Sequence, residues 1–181
     1  MRLGPSERMH APVDKSECAL ARMPGGQGLT SGAAGRKSLA MHRIFALQTR
    51  GPGLTEFTAP VAEWLCARPR TGVLTLMVRH TSASLLIQEN ADPDVQADLQ
   101  AFFARLVPPA DDPAMGWITH RDEGPDDMPA HIKAALLPIS LQIPVIDGRM
   151  GLGTWQGIYL FEHRRAPMRR EVLAMLVPAA D

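Results

Sequence analysis

Alternation of apolar and polar residues predicts β-strands in several parts of the chain. Residues 73–80 are the clearest example, because every second residue from Leu74 to His80 falls on one face of an extended strand. This pattern places the His80 side chain on the apolar face, at the end of the strand. Further strands are predicted at residues 42–50, 83–88, 140–146, 158–164 and 171–177. The Asp147-Gly148 pair predicts a hairpin turn.

Helical spacing of apolar residues, together with capping residues and prolines, predicts three helices, at about residues 57–67, 93–107 and 127–137. The second has the clearest start, because Asp92 can cap the first turn and Pro93 needs no hydrogen bond there. The third begins at Asp126 or Asp127, with Pro129 in its first turn. The predicted apolar stripe of the second helix comprises Val95, Leu99, Phe102 and Leu106.

The stretch from His120 to His131 holds two histidines and four carboxylates within twelve residues. His131 falls in the first or second turn of the third helix, where the helix dipole disfavours an imidazolium. A neutral ring at this place can bind a metal or accept a proton. The adjacent Asp126 and Asp127 act in the opposite direction, so the residues alone leave the protonation state open. The alternative interpretation is an acidic surface loop that caps a helix.

Composition restricts the class of protein more than it identifies one. The chain has 181 residues, a formal net charge of zero and 45% hydrophobic residues, which fits one globular domain and disfavours nucleic-acid binding. No apolar run approaches the roughly 20 residues that span a bilayer, so no membrane partner is expected. The two cysteines, Cys18 and Cys66, are too few for a disulfide framework, and a cytoplasmic location is expected.

Residues 1–40 differ in composition from the rest of the chain. Glycine and proline interrupt them repeatedly, and they show no sustained apolar period that could offset the entropy cost of ordering. We therefore predict a disordered N-terminal extension at residues 1–40 and a folded domain at residues 41–181. Our hypothesis is that translation starts at Met41 and that the extension is upstream sequence.

Several motifs carry a resemblance to a known family. They are HTSAS at residues 80–84, NADPD at 90–94, EGPDDMPAHIK at 123–133, GTWQG at 153–157 and EHR at 162–164. With these motifs in this order, the chain resembles the YjbQ-like family, also called the secondary thiamine-phosphate synthase family. The resemblance covers residues 41 to about 177, nearly all of the chain beyond the extension.

The resemblance implies a fold and an assembly. The expected fold class is α+β: a single compact domain of mostly antiparallel β-strands with about three helices, the YjbQ-like fold. A homotrimer is expected, with a cleft in which the family's histidines gather. Mapped onto this sequence, those histidines are His80, His120, His131 and His163.

The resemblance also implies an activity, the joining of a pyrimidine pyrophosphate to a thiazole phosphate. The expected partner is then a small phosphorylated molecule and the expected cofactor a divalent metal, zinc or magnesium. Three imidazoles suit zinc, whereas magnesium prefers carboxylate oxygens, so Asp126, Asp127 or Glu123 would be the better ligands for it. The residues expected to take part are His120, His131 and His163 as metal ligands, His80, Glu123 and Arg164 in catalysis, and Ser82, Asn90, Lys133, Trp155 and Gln156 in ligand binding.

Two other functions stay open at this point. One is a metal-dependent hydrolase in which Glu123 or His80 is the general base. The other is a non-catalytic trimer that binds a small anion between its subunits. The arginines at positions 164, 165, 169 and 170 form a basic cluster. This cluster is either a solvated face or a binding place for a phosphate group.

Overall fold

Two antiparallel sheets form the framework of the computed structural model, which describes residues 41–67 and 70–179. The predicted extension at residues 1–40 lies outside the described residues. The larger sheet has the strand order β1-β8-β3-β5-β6, and the smaller has the order β2-β7-β4. The strands are β1 (Met41–Gln48), β2 (Gly53–Glu56), β3 (Gly72–Val78), β4 (Ala83–Glu89), β5 (Ser140–Ile146), β6 (Arg149–Met150), β7 (Gln156–Glu162) and β8 (Arg169–Pro178).

Three α-helices complete the described domain: α1 (Thr58–Cys66), α2 (Pro93–Leu106) and α3 (Asp127–Leu136). A short 3₁₀ turn at Pro113–Met115 lies between α2 and α3. The strand pairs all run antiparallel, so the predicted α+β class with mostly antiparallel strands and about three helices is confirmed. The hairpin between β5 and β6 turns at Asp147 and Gly148, which both have positive φ as a tight primed turn requires.

The main core lies between the two sheets and α1. Leu74, Leu76 and Val78 of β3 point into it, as their alternation predicted. From the smaller sheet, Ile158 and Leu160 of β7 meet them. Helix α2 covers the opposite face of β7, where the Phe103 and Phe161 rings meet edge to face. Strand β7 is therefore buried on both faces, which explains its nearly continuous apolar sequence.

Two predictions from apolar spacing are wrong. His80 does not lie on the buried face of β3, because the strand ends at Val78 and His80 follows in an exposed turn. The stripe predicted on α2 does not face the core, because Phe102 and Leu106 are 55% and 53% exposed. The helix turns Phe103 towards β7 instead, and none of its residues is fully buried.

The outer face of the larger sheet, opposite the core, is also apolar. Paired positions in β1, β3 and β8 place partly exposed side chains side by side there. We call this surface the outer sheet face; its exposed apolar residues are Ile44, Val73, Met77, Met175 and Val177. Among the described residues, no helix has both the length and the apolar character needed to cross a bilayer.

Candidate functional site

The loop before α3 is fixed to the segment after β7 by Asp126. This residue occupies the N-cap position of α3, as predicted, but its side chain makes no capping hydrogen bond. One carboxylate oxygen instead accepts hydrogen bonds from Arg164 Nε (3.0 Å) and from the backbone N–H of Arg165 (2.8 Å). Burial alone would raise the pKa of the Asp126 carboxyl, but these bonds hold it below its usual value. The carboxylate therefore ties the start of α3 to the end of β7.

Asp127, buried in the first turn of α3, brings two histidines together. Its Oδ2 atom lies 2.9 Å from His120 Nε2 and 3.4 Å from His131 Nε2. His131 is four residues further along α3, so helical geometry places it on the same face as Asp127. One ligand atom from each of the three residues lies within 4.8 Å of the others. We call these three residues the His–Asp group.

Hydrogen bonds from neighbouring groups orient the His131 ring and the Asp127 carboxylate. His131 Nδ1 lies 3.0 Å from the carbonyl oxygen of Thr81, which can only accept, so Nδ1 carries the hydrogen. Nε2 is then the ring atom that can carry a lone pair for a metal, and it faces Asp127. Arg164 Nη1 donates to Asp127 Oδ1, which leaves Oδ2 for the two histidines. Metal-binding histidines and carboxylates are oriented by contacts of this kind.

The donor set of the His–Asp group suits a divalent transition metal. Two imidazole nitrogens and one carboxylate oxygen are ligands that zinc accepts with a fourth position left open. Around a tetrahedral zinc ion, adjacent ligand atoms are about 3.3 Å apart. The 3.4 Å between His131 Nε2 and Asp127 Oδ2 matches that value, and the 2.9 Å to His120 is a hydrogen bond a cation would replace.

His163, the third predicted metal ligand, lies outside the His–Asp group. Its ring is 4% exposed, and Nε2 lies 2.9 Å from Ser84 Oγ. Its Nδ1 atom is buried and has no hydrogen-bond partner among the described residues. Burial lowers the pKa of His163 to about 4, so the ring is neutral at physiological pH. In the structure, Asp127 rather than His163 is therefore grouped with His120 and His131.

His80 and Ser82 belong to a chain of contacts that leads to a buried ion pair. The backbone N–H of Ser82 donates to His80 Nδ1 (3.2 Å), so the ring proton is on Nε2. Burial, with a contribution from the positive charge of Arg170, lowers the pKa of His80. In this tautomer His80 is a hydrogen-bond donor at Nε2, not a general base. The Ser82 hydroxyl accepts from Arg170 and is itself fully buried.

Two of the predicted catalytic side chains, Glu123 and Arg164, differ in their freedom to act. All three side-chain nitrogens of Arg164 donate within the chain, to Asp126, to Asp127 and to the Glu123 carbonyl oxygen. These contacts favour a positioning role for Arg164. The Glu123 carboxylate is 68% exposed and lies 3.6 Å from Arg164 Nη1, at the edge of the site.

The residues predicted to bind a ligand do not form one group. Gln156 pairs with Glu89 at one end of the smaller sheet, whereas Glu162 pairs with Ala83 at the other, about 20 Å away. Asn90 and Trp155 lie at the Gln156 end, where the Asn90 N–H donates to the Trp155 carbonyl oxygen. Lys133 is half-buried and lines a cavity between α2 and α3.

Comparison with known proteins gives a consistent family. Residues 43–179 match the model of the family described as UPF0047 protein YjbQ-like. The UPF0047 protein sll1880 of Synechocystis is 51% identical over 131 residues, covering 72% of this chain and 86% of that protein. The UPF0047 protein YjbQ of Salmonella typhimurium is 43% identical over 136 residues, covering 74% and 95%.

Solved structures agree with this family. The crystal structure of an uncharacterized YjbQ/UPF0047 family protein from Clostridium acetobutylicum is similar with a TM-score of 0.66 and 32% identity, over 75% of this chain and 99% of that one. A conserved hypothetical protein from Thermus thermophilus is similar with a TM-score of 0.64 and 33% identity, over the same shares.

Proposed function

The chain belongs to the YjbQ-like UPF0047 family, and from that premise we propose that it is a metal-dependent enzyme acting on a small phosphorylated molecule. The observation that carries the proposal is the His–Asp group, in which two imidazole nitrogens converge on one oxygen of a buried carboxylate. Zinc is the first candidate cation, because imidazole is a better ligand for it than for magnesium. His120, Asp127 and His131 would hold it.

The chain's own residues prepare this place for an anionic substrate. Arg164 and the Thr81 carbonyl oxygen hold Asp127 and His131 in their orientations. His80 comes directly before Thr81 and offers its Nε2–H as a donor to a substrate oxygen. A bound cation would supply the positive charge that stabilises a phosphate or pyrophosphate leaving group.

The reaction we propose first is thiamine phosphate synthesis. The thiazole nitrogen attacks the methylene carbon of the pyrimidine pyrophosphate, a C–N bond forms, and the C–O bond breaks as pyrophosphate leaves with the bonding electrons. Such a displacement needs oriented reactants and a stabilised leaving group more than it needs a proton-transfer residue. The His–Asp group with its open side is compatible with that requirement.

A metal-dependent hydrolase is the second candidate, favoured by the exposed Glu123 carboxylate at the edge of the site, 3.6 Å from Arg164 Nη1. Glu123 would then be the general base that takes a proton from the attacking water. In this case turnover would require water and one phosphate ester rather than two precursors.

Metal content and turnover test the proposal together. Protein from a strain that lacks its own thiamine phosphate synthase is analysed for bound metals and supplied with both precursors. We expect about one divalent cation per chain, and loss of both metal and turnover in His131→Ala. The exposed Glu63 of α1 supplies the control, Glu63→Ala, which should keep both. Turnover unchanged in His131→Ala would refute the assignment to this site, and hydrolysis of a single phosphate ester would select the second candidate.

A further inference from the structure

A cavity of about 200 Å³ lies between α2, α3 and the end of β7. Phe103 and Ala104 of α2 form one side, Pro129 and Lys133 of α3 another, and Phe161 closes it from β7. Asp126 also lines it, whereas no member of the His–Asp group does. The cavity is therefore a separate place from the candidate metal centre, although the two are neighbours along α3.

Two cations at the cavity have no carboxylate of their own. Among the described residues, neither the Lys133 ammonium nor the Arg165 guanidinium forms an ion pair, and both residues line the cavity. The two carboxylates that also line it are engaged elsewhere, since Asp126 accepts from Arg164 and Glu162 from Arg170. Burial, and then the nearby charge of Arg165, lowers the pKa of Lys133, and the charge of Asp126 opposes this only in part. An anion between the two cations would relieve this repulsion.

Most of the rest of the wall is apolar and suits a flat ring, and Gln100 and His163 also line the cavity. Phe103 and Phe161 meet at 5.6 Å between ring centroids with an angle of 73°, and Val107 and Pro129 extend the apolar lining. An apolar protein cavity of about 150 Å³ can hold a benzene molecule. A volume of about 200 Å³ thus has room for a single ring and one small substituent, but not for two linked rings.

From these observations we propose that the cavity is a binding site for a small monocyclic aromatic molecule that carries one phosphate or carboxylate group. The anionic group pairs with Lys133 and Arg165, and the ring packs against Phe103 and Phe161. The site goes beyond the proposed metal centre and does not require it, because none of its binding groups is a metal ligand.

Benzylphosphonate is the probe, because it combines one ring with a phosphate-like dianion that cannot be hydrolysed. Its binding to the full chain is measured by titration calorimetry with a chelator present, so that any metal centre is empty. We expect binding to the unaltered protein and a loss of about tenfold or more in Lys133→Met, which keeps the apolar stem and removes the charge. Phe103→Ala should weaken benzylphosphonate binding while leaving the weaker binding of inorganic phosphate unchanged.

Two control variants locate the probe. Arg105→Gln removes a cation of α2 that does not line the cavity, and His120→Ala removes a member of the His–Asp group. Both should bind benzylphosphonate as the unaltered protein does, and thermal melting confirms that each variant folds. Equal affinity in the unaltered protein and Lys133→Met would overturn the proposal, as would binding lost in His120→Ala. Neither result bears on metal binding, so the two proposals can fail separately.

Discussion

At the scale of single residues, Glu162 and Arg170 form an ion pair that has almost no contact with solvent. Both oxygens of Glu162 accept from Arg170, at 2.7 Å each, and Thr49 and the backbone N–H groups of His163 and Arg164 supply further hydrogen bonds. Burial alone would raise the pKa of Glu162, but these donors keep it below its usual value. Because the pair fixes the backbone at His163 and Arg164, it also supports the site.

Arg170→Met should therefore destabilise the protein strongly, because it leaves a buried carboxylate without its cation. The expected loss in the free energy of unfolding is about 3–5 kcal/mol, measured by urea denaturation. Arg79→Met breaks the solvent-exposed pair between Arg79 and Glu171 and is the control, with an expected loss of about 1 kcal/mol or less. Similar losses in the two variants would contradict this account of Glu162.

His163 should make the protein less stable as the pH falls. Burial lowers its pKa from the usual 6.5 to about 4, so the unfolded chain takes up a proton first. The stability that the neutral ring contributes is complete above pH 6.5 and is lost as the pH falls towards 4, up to about 3 kcal/mol.

His163→Gln removes this titration and keeps a group that can bond to Ser84. The free energy of unfolding, measured from about pH 7 to about pH 4, should then fall less steeply than in the unaltered protein. Glu63→Gln changes an exposed titratable residue of α1 and should leave the slope as it was. An unchanged slope in His163→Gln would show that the ring is not held neutral by burial.

The sequence could indicate that two site residues are neighbours only where they are close together along the chain. His131 and Asp127 are four residues apart on one helix, a spacing that the sequence shows, and Asp127 was considered both as a cap and as a magnesium ligand. His120 joins them through a loop that was correctly identified as part of the same polar stretch. His163 comes from another strand, and only the three-dimensional packing shows that its Nε2 lies against Ser84 instead.

At the scale of elements, caps and turns were the most predictable features. The Asp92-Pro93-Asp94 signal starts α2 as expected, and Asp92 Oδ1 accepts from the Asp94 N–H at 2.9 Å. The alternation in β3 identified its buried face correctly, but apolar spacing could not tell which face of α2 meets the sheet. That choice depends on the sheet beneath the helix, where Phe161 contacts Phe103.

Asp92→Ala should cost about 1 kcal/mol in the free energy of unfolding, because one N–H of the first turn loses its acceptor. Asp98→Ala changes an exposed aspartate in the interior of the same helix and serves as the comparison. Chemical denaturation that shows no difference between the two variants would mean that the cap does not stabilise α2.

At the scale of the whole molecule, the outer sheet face is an apolar surface without cover among the described residues of the isolated chain. Met77 of β3 is 45% exposed at its centre, next to Leu173 of β8 and in line with Ile44 of β1. Surfaces of this kind are often buried between subunits. We propose that it is where copies of the chain meet in the expected homotrimer.

Met77→Glu should separate the subunits, because association would bury a charge without a partner. Sedimentation equilibrium should give the mass of a trimer for the unaltered protein and of a monomer for the variant. Leu136→Glu, which changes an exposed leucine of α3 outside the sheet, should leave the trimer intact. A trimer that persists in Met77→Glu would move the contact to another surface.

The central claim is that His120, Asp127 and His131 hold one divalent cation, and anomalous diffraction from crystals grown with zinc tests it most directly. Data collected at the zinc absorption edge should show one strong peak per chain, about 2.0–2.2 Å from His120 Nε2, His131 Nε2 and Asp127 Oδ2. A map without a peak there, or with its peak beside His163, would contradict the account.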